Sequence, residues 1–171
     1  MEFHLTDGRH TCREREILQM LQAADSEFVP PLSARSSTTQ TDFRAEGGNS
    51  GISAYWDALQ EQKFLLAEED GALLGFVSYR ENHRLAVIGE QFPNLYISTV
   101  LVKPEARGQN LTRRMYEYLF SVYRHAAVFT RTWSANTAHI RILTGFGFEP
   151  IQVLKNDRGP GIDTVYFKKN P

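Results

Sequence analysis

Apolar residues change their spacing several times along the chain, and each change marks an element. Ile17, Met20, Leu21 and Ala24 recur at helical intervals, as do Ile52, Tyr55, Trp56 and Leu59, so two amphipathic helices are predicted after a short strand around Phe3 to Leu5. "KFLLAEED" and "ALLGFVSYRE" read as strands joined at Asp70-Gly71, the strongest short hairpin signal in the chain. "NLYISTVLV" follows a looser connection from Asn82 to Pro93 and completes an antiparallel meander. Helical spacing returns at Leu111, Met115, Leu119 and Val122, a strand at "AVFTRTW", and a helix from Thr137 to Gly145. Two last strands, "FEPIQVLKND" and "DTVYFKK", flank Gly159-Pro160-Gly161. Strand-helix-strand after a meander predicts an α/β (α+β) fold: a single domain over 1–171, with a mixed, mostly antiparallel sheet flanked by about four helices.

Composition narrows the function. The 171 residues, 42% hydrophobic and 12% aromatic, suffice for one packed core. A formal net charge of -1, with basic residues not organised as a long stripe, argues against a nucleic-acid partner. Cys12 stands alone, which excludes an intramolecular disulfide, and no zinc-ligand cluster is visible, so no metal is expected. No apolar run approaches the ~20 residues that span a bilayer, and the first residues lack the basic and apolar segments of a signal peptide. The expectation is a cytoplasmic protein without a membrane partner, monomeric or homodimeric. "FVPPLSARSSTTQTDFRAEGGNS" is too long for an ordinary connection and is read as functional or mobile.

The candidate chemistry lies where the meander ends, in "VLVKPEARGQNLTRRMYEYL". A strand that stops at a proline, passes through a basic, glycine-containing turn and resumes as a helix presents unpaired N–H groups together with the positive end of the helix dipole. Phosphate is the ligand that suits it, and Arg107, Arg113 and Arg114 cluster there in sequence. Asn110 stands where a left-handed turn residue is wanted, and Asn tolerates that geometry best after glycine.

Val102-Lys103-Pro104 and Arg107-Gly108, followed by Asn136 at a fixed interval from Gly147-Phe148, resemble the motifs of the Gcn5-related N-acetyltransferase (GNAT) family. Asn110 and Thr112 depart from that family's usual glycine and glycine or alanine. The match runs roughly from Lys63 to Phe167. It implies an acetyl-coenzyme-A-binding core over 63–171, preceded by N-terminal helices and an acceptor-side loop over 1–62. It also implies cofactor contacts from Val100, Leu101, Val102, Arg107, Gly108, Gln109, Asn110, Leu111, Thr112, Arg113 and Asn136, with Ser134 a further donor.

The resemblance implies direct attack of a primary amine on the thioester. An alkylamine with a pKa near 10.4 is about one part in a few thousand free base at neutral pH, so a proton acceptor is needed. The central strand offers Asn94, Tyr96, Ser98 and Thr99 but no carboxylate, which leaves Glu90, acting through a water, as the best carboxylate candidate, with the phenols of Tyr79 and Tyr96 weaker proton acceptors. A bulge between Ser98 and Leu101 would free a backbone donor for the acetyl carbonyl. The tyrosine that protonates the thiolate in many relatives corresponds to Leu143, and His139 is expected to be a packed, neutral side chain. Phe28, Tyr55, Trp56 and Tyr96 are expected at the acceptor cleft, with Asp42, Glu46, Glu90 and the Asp157-Arg158 pair near it. A small-molecule amine is the expected acceptor. A protein or peptide amine, or a non-catalytic acyl-coenzyme-A sensor or scaffold, are the alternatives.

Overall fold

Asp70 and Gly71 adopt φ of 50° and 77°, the left-handed pair that a two-residue type I′ hairpin requires, and the strands on either side pair in register from Glu69↔Ala72. The computed structural model describes residues 1–41, 43 and 51–171. Its strands are β1 (Glu2–Asp7), β2 (Lys63–Glu69), β3 (Ala72–Glu81), β4 (Asn94–Val102), β5 (Ala127–Trp133), β6 (Glu149–Leu154) and β7 (Thr164–Lys169). Its α-helices are α1 (Glu14–Ala23), α2 (Gly51–Leu59), α3 (Leu111–Val122) and α4 (Thr137–Gly145). The strands form one sheet in the order β1-β2-β3-β4-β5-β7-β6.

Every neighbouring pair is antiparallel except β4 and β5, which run parallel from Asn94↔Ala127 to Ile97↔Thr130. Pairing stops there, while β4 continues to Val102 and β5 to Trp133, so a gap opens between them. On the other side of β4, Ser78 faces Thr99 and Tyr79 faces Ile97, leaving Ser98 as an extra residue without a cross-strand partner. This is the expected bulge, and it resets the alternation of side chains. Before it, Leu95 and Ile97 belong to one face; after it, Val102 takes up that face while Thr99 and Leu101 turn to the other.

Each face is covered by helices. Leu111, Met115, Tyr116 and Leu119 of α3, with Leu143 of α4, bury Leu65, Val77, Leu95, Ile97 and Val128. Ile17 and Leu21 of α1, with Tyr55 and Leu59 of α2, bury Phe64, Leu66, Phe76 and Leu101 opposite. Arg13 ties α1 to the first hairpin, donating through Nε and Nη2 to both carboxylate oxygens of Glu68 at 3.0 Å and to Gly71 O at 2.9 Å. Trp56, expected at the acceptor cleft, instead packs on the Phe64 ring 6.2 Å away, because its place on α2 faces the core. No described helix is long and apolar enough to cross a membrane.

Candidate active site

The gap between β4 and β5 deepens into a cleft of about 310 Å³. Ser98 to Val102 form one wall and Thr130 to Trp133 the other, with Arg107 and Thr112 after β4, Asn136 and His139 at α4, and Phe28, Arg35, Thr38 and Arg158 closing the α1–α2 side.

Past β4, Pro104–Ala106 forms a 3-10 turn, and Gly108 and Asn110 then take φ of 76° and 58°. As expected from the sequence, Asn110 precedes α3 in left-handed geometry, but its side chain makes no capping hydrogen bond. The backbone N–H groups from Gly108 to Arg113 donate to no carbonyl or side chain, so the turn and the first turn of α3 present free donors together. The three cations near the turn diverge. Arg107 lies against the cleft, donating to Val102 O at 3.1 Å and pairing with Glu27 at 2.9 Å. Arg113 pairs with Glu117 at 3.0 Å and stacks 4.6 Å over Phe146, and Arg114 covers Phe3 at 5.6 Å. The carboxylates and rings beside each one set these directions. Leu111 is buried in the core and reaches the turn only through its backbone.

Deeper in the gap, Ser98 Oγ is buried without a hydrogen-bond partner. Thr99 Oγ1 lies 2.7 Å from Tyr55 OH, which connects Tyr55 to the cleft wall although its ring is buried. Asn136 caps α4, accepting from His139 N at 3.3 Å, while its Nδ2 donates to Thr132 Oγ1 at 3.0 Å. Ser134 does not face the ligand side, because its Oγ accepts from Asp163 N at 3.0 Å. His139 Nε2 lies 2.9 Å from Tyr116 OH, and burial draws the imidazole down to about 4, so it is neutral at pH 7. Leu143 is fully buried away from the cleft, among Met115, Tyr116 and Phe148.

The acceptor-side expectations divide. Phe28 and Arg158 line the cleft. Tyr96 is buried below it rather than lining it, and Tyr79 packs at the other end of β3, its hydroxyl 2.9 Å from Tyr123 OH. Glu90 is exposed on the β3–β4 connection, beside a different hollow that Arg84, Leu85 and Phe92 line, so it does not meet the cleft. The long β3–β4 excursion carries it away. Asp42 and Glu46 lie outside the described residues. Residues that the sequence reading missed are Arg35 and Arg131, both buried against the cleft. An arginine in the otherwise uncharged strand "AVFTRTW" is the signal that could have found Arg131.

A sequence model of the Acetyltransferase (GNAT) family matches residues 19–148. The chain belongs to that family. Its fold is shared with the ribosomal-protein-alanine N-acetyltransferase from Brucella melitensis, at 18% identity and a TM-score of 0.68 over 100% of both chains. It is shared with yncA from Salmonella typhimurium, solved with its cofactor acetyl-CoA, at 18% identity and a TM-score of 0.66 over 99% of this chain and 93% of that one. An aminoglycoside 6'-N-acetyltransferase complexed with coenzyme A gives 12% identity and 0.66 over 99% and 97%. At these identities the likeness to each is one of fold. No curated protein matches the chain by sequence. As a GNAT member, the chain places the gap between β4 and β5, the free N–H groups and Asn136 at one end of one sheet.

Proposed function

We propose that the chain is an acetyl-coenzyme-A-dependent N-acetyltransferase that acts on a primary amine of a small molecule, by direct attack of the amine on the thioester. The run of free backbone N–H groups from Gly108 to Arg113, at the mouth of the gap, carries this reading. Donors aligned with the positive end of α3 suit a pyrophosphate, and Arg107 adds a cation beside them. Val100, Leu101 and Val102 on one wall and Asn136 on the other suit a narrow, largely apolar arm with amide groups. The orphaned Ser98 Oγ marks the point where a polar group of the ligand is wanted.

When bound, acetyl-coenzyme A supplies an acyl carbon already activated as a thioester. Transfer forms the amide C–N bond, breaks the C–S bond, and moves one proton from the amine to solvent and one from solvent to sulfur. The chain's part is to hold the amine in line and to keep it unprotonated. Among described residues the only carboxylate lining the cleft is Glu27, which Arg107 engages, and neutral His139 is too weak a base to collect the proton. The amine therefore enters as free base. Departure of a thiol with a pKa near 8.5 lies only about 2 kcal/mol uphill at pH 7, so a side-chain acid is dispensable.

Thiol release from acetyl-coenzyme A against a panel of primary amines tests this, and amine-dependent release above background hydrolysis is expected. A rise in melting temperature with the cofactor but no release from any amine replaces the reading with that of a non-catalytic sensor. No rise at millimolar cofactor removes both.

A further inference from the structure

Three guanidinium groups are buried where the cleft meets α1 and α2: Arg35 from the segment between those helices, Arg131 from β5 and Arg158 from the β6–β7 connection. Neutral groups hold each one. Arg35 donates to Pro30 O at 2.8 and 3.0 Å and to Val29 O at 3.2 Å. Arg131 donates to Thr38 O at 3.1 Å and to Tyr166 OH at 3.2 Å, and Arg158 to Val29 O at 2.7 Å and Thr164 Oγ1 at 2.9 Å. The Phe43 ring lies 5.5, 5.8 and 5.3 Å from the three guanidinium carbons, which gathers them about one aromatic face.

Among the described residues the cluster has no carboxylate bonded to it directly. None of the three is ion-paired with a described residue. Asp25 and Asp157 act on Arg35 and Arg158 only at longer range, and both hold other donors, Asp25 from Ser33 and Asp157 from Thr164. Burial and the neighbouring arginines pull Arg158 down, to about 9, and it remains a cation at neutral pH. Burying one unpaired cation is costly, and gathering three adds their mutual repulsion. A second observation lies beside the first: the Tyr96 hydroxyl, fully buried and without a hydrogen-bond partner, sits within the fields of Arg131 and Arg158. A buried donor and three cations that no described carboxylate pairs suit the same thing, an anionic oxygen group, which a ligand can bring.

We propose that Arg35, Arg131 and Arg158 form the anion subsite of the acceptor, so that the amine acetylated by this chain also carries a carboxylate or phosphate. The inference rests on the acetyl-transfer reading and makes it narrower. The anionic group docks against the arginines and the amine faces Ser98, while polycations such as polyamines are repelled from the cleft.

Matched pairs of amines test it, with thiol release measured at saturating acetyl-coenzyme A: amino carboxylates against their amides, phosphoethanolamine against ethanolamine, and spermidine as a polycation. One anionic member is expected to exceed its neutral partner in kcat/KM by about a hundredfold or more, as loss of charge-assisted bonds implies, and the pair that shows this tells carboxylate from phosphate. Arg131→Gln and Arg158→Gln are expected to collapse that preference while keeping the rise in melting temperature with acetyl-coenzyme A. The wild-type comparison stands even where a variant fails to fold. Equal use of amide, ethanolamine or spermidine overturns the subsite and leaves acetyl transfer intact. If no amine releases thiol, acetyl transfer has failed and the subsite is read by binding to the coenzyme-A-saturated protein. There, a rise in melting temperature with an anionic amine but not with its neutral partner supports it, and equal or absent shifts overturn it.

Discussion

Leu143 sits seven residues after Asn136, where many members of the family carry a tyrosine, and its surroundings explain what it does instead. It is 0% exposed and packed among Met115, Tyr116, Leu119 and Phe148, so its contribution is dispersion and burial rather than proton transfer. The polar groups of this region are displaced by one turn, to His139 at the cleft and the Tyr116 hydroxyl behind it. Leu143→Tyr forces a larger, polar-tipped ring into a closed core. The expected loss is about 1 to 3 kcal/mol, read as a fall in melting temperature of about 2 to 4 °C per kcal/mol, without faster turnover. Faster turnover at an unchanged melting temperature would show instead that the core opens to the thiolate.

At the level of elements, the start of α3 concentrates the design. Gly108 and Asn110 both hold positive φ, which turns successive N–H groups outward without a side-chain cap. Asn110→Gly is expected to leave the melting temperature nearly unchanged. Asn110→Ala should lower stability by about 1 kcal/mol and Asn110→Val by more, because a Cβ, and above all a branched one, strains left-handed backbone. Equal melting temperatures for all three would remove the strain argument. This turn, the Asp70-Gly71 hairpin and the helices were legible in the sequence because each depends on a few adjacent residues. The Ser98 bulge was permitted but not dictated, since it depends on how β3 and β4 register around Ser78 and Thr99. The arginine cluster was not legible as a cluster. Burial of Arg35, Arg131 and Arg158 depends on three segments far apart in the chain, and a guanidinium in a polar loop usually reads as solvated surface. Glu90 shows the converse, for closeness to the central strand in sequence suggested the cleft, whereas the β3–β4 excursion leaves it on an exposed connection.

The whole molecule is nearly neutral, with a formal net charge of -1, yet the cleft is positive: three buried guanidinium groups line one end and free N–H groups the other. That separation bears on the missing base. A bound amine that brings one or two negative charges still meets a net positive field from three cations, and a like charge nearby disfavours the ammonium form. The pKa of the amine should therefore fall on binding, which supplies free base without a carboxylate to take the proton. Two pH profiles separate the bound from the free amine, because kcat reports ionisations of the complex and kcat/KM those of the free reactants. Both should rise with pH as the amine deprotonates. The midpoint of kcat is expected about one unit below that of kcat/KM, and Arg131→Gln should narrow the gap. His139, drawn down by burial to about 4, should add no inflection between about pH 5 and 8. A kcat that declines as pH rises anywhere below about pH 8 would sink this account by requiring an acid in the cleft. A kcat midpoint above that of kcat/KM would show that the cleft stabilises the ammonium, and the charge argument would then have the wrong sign.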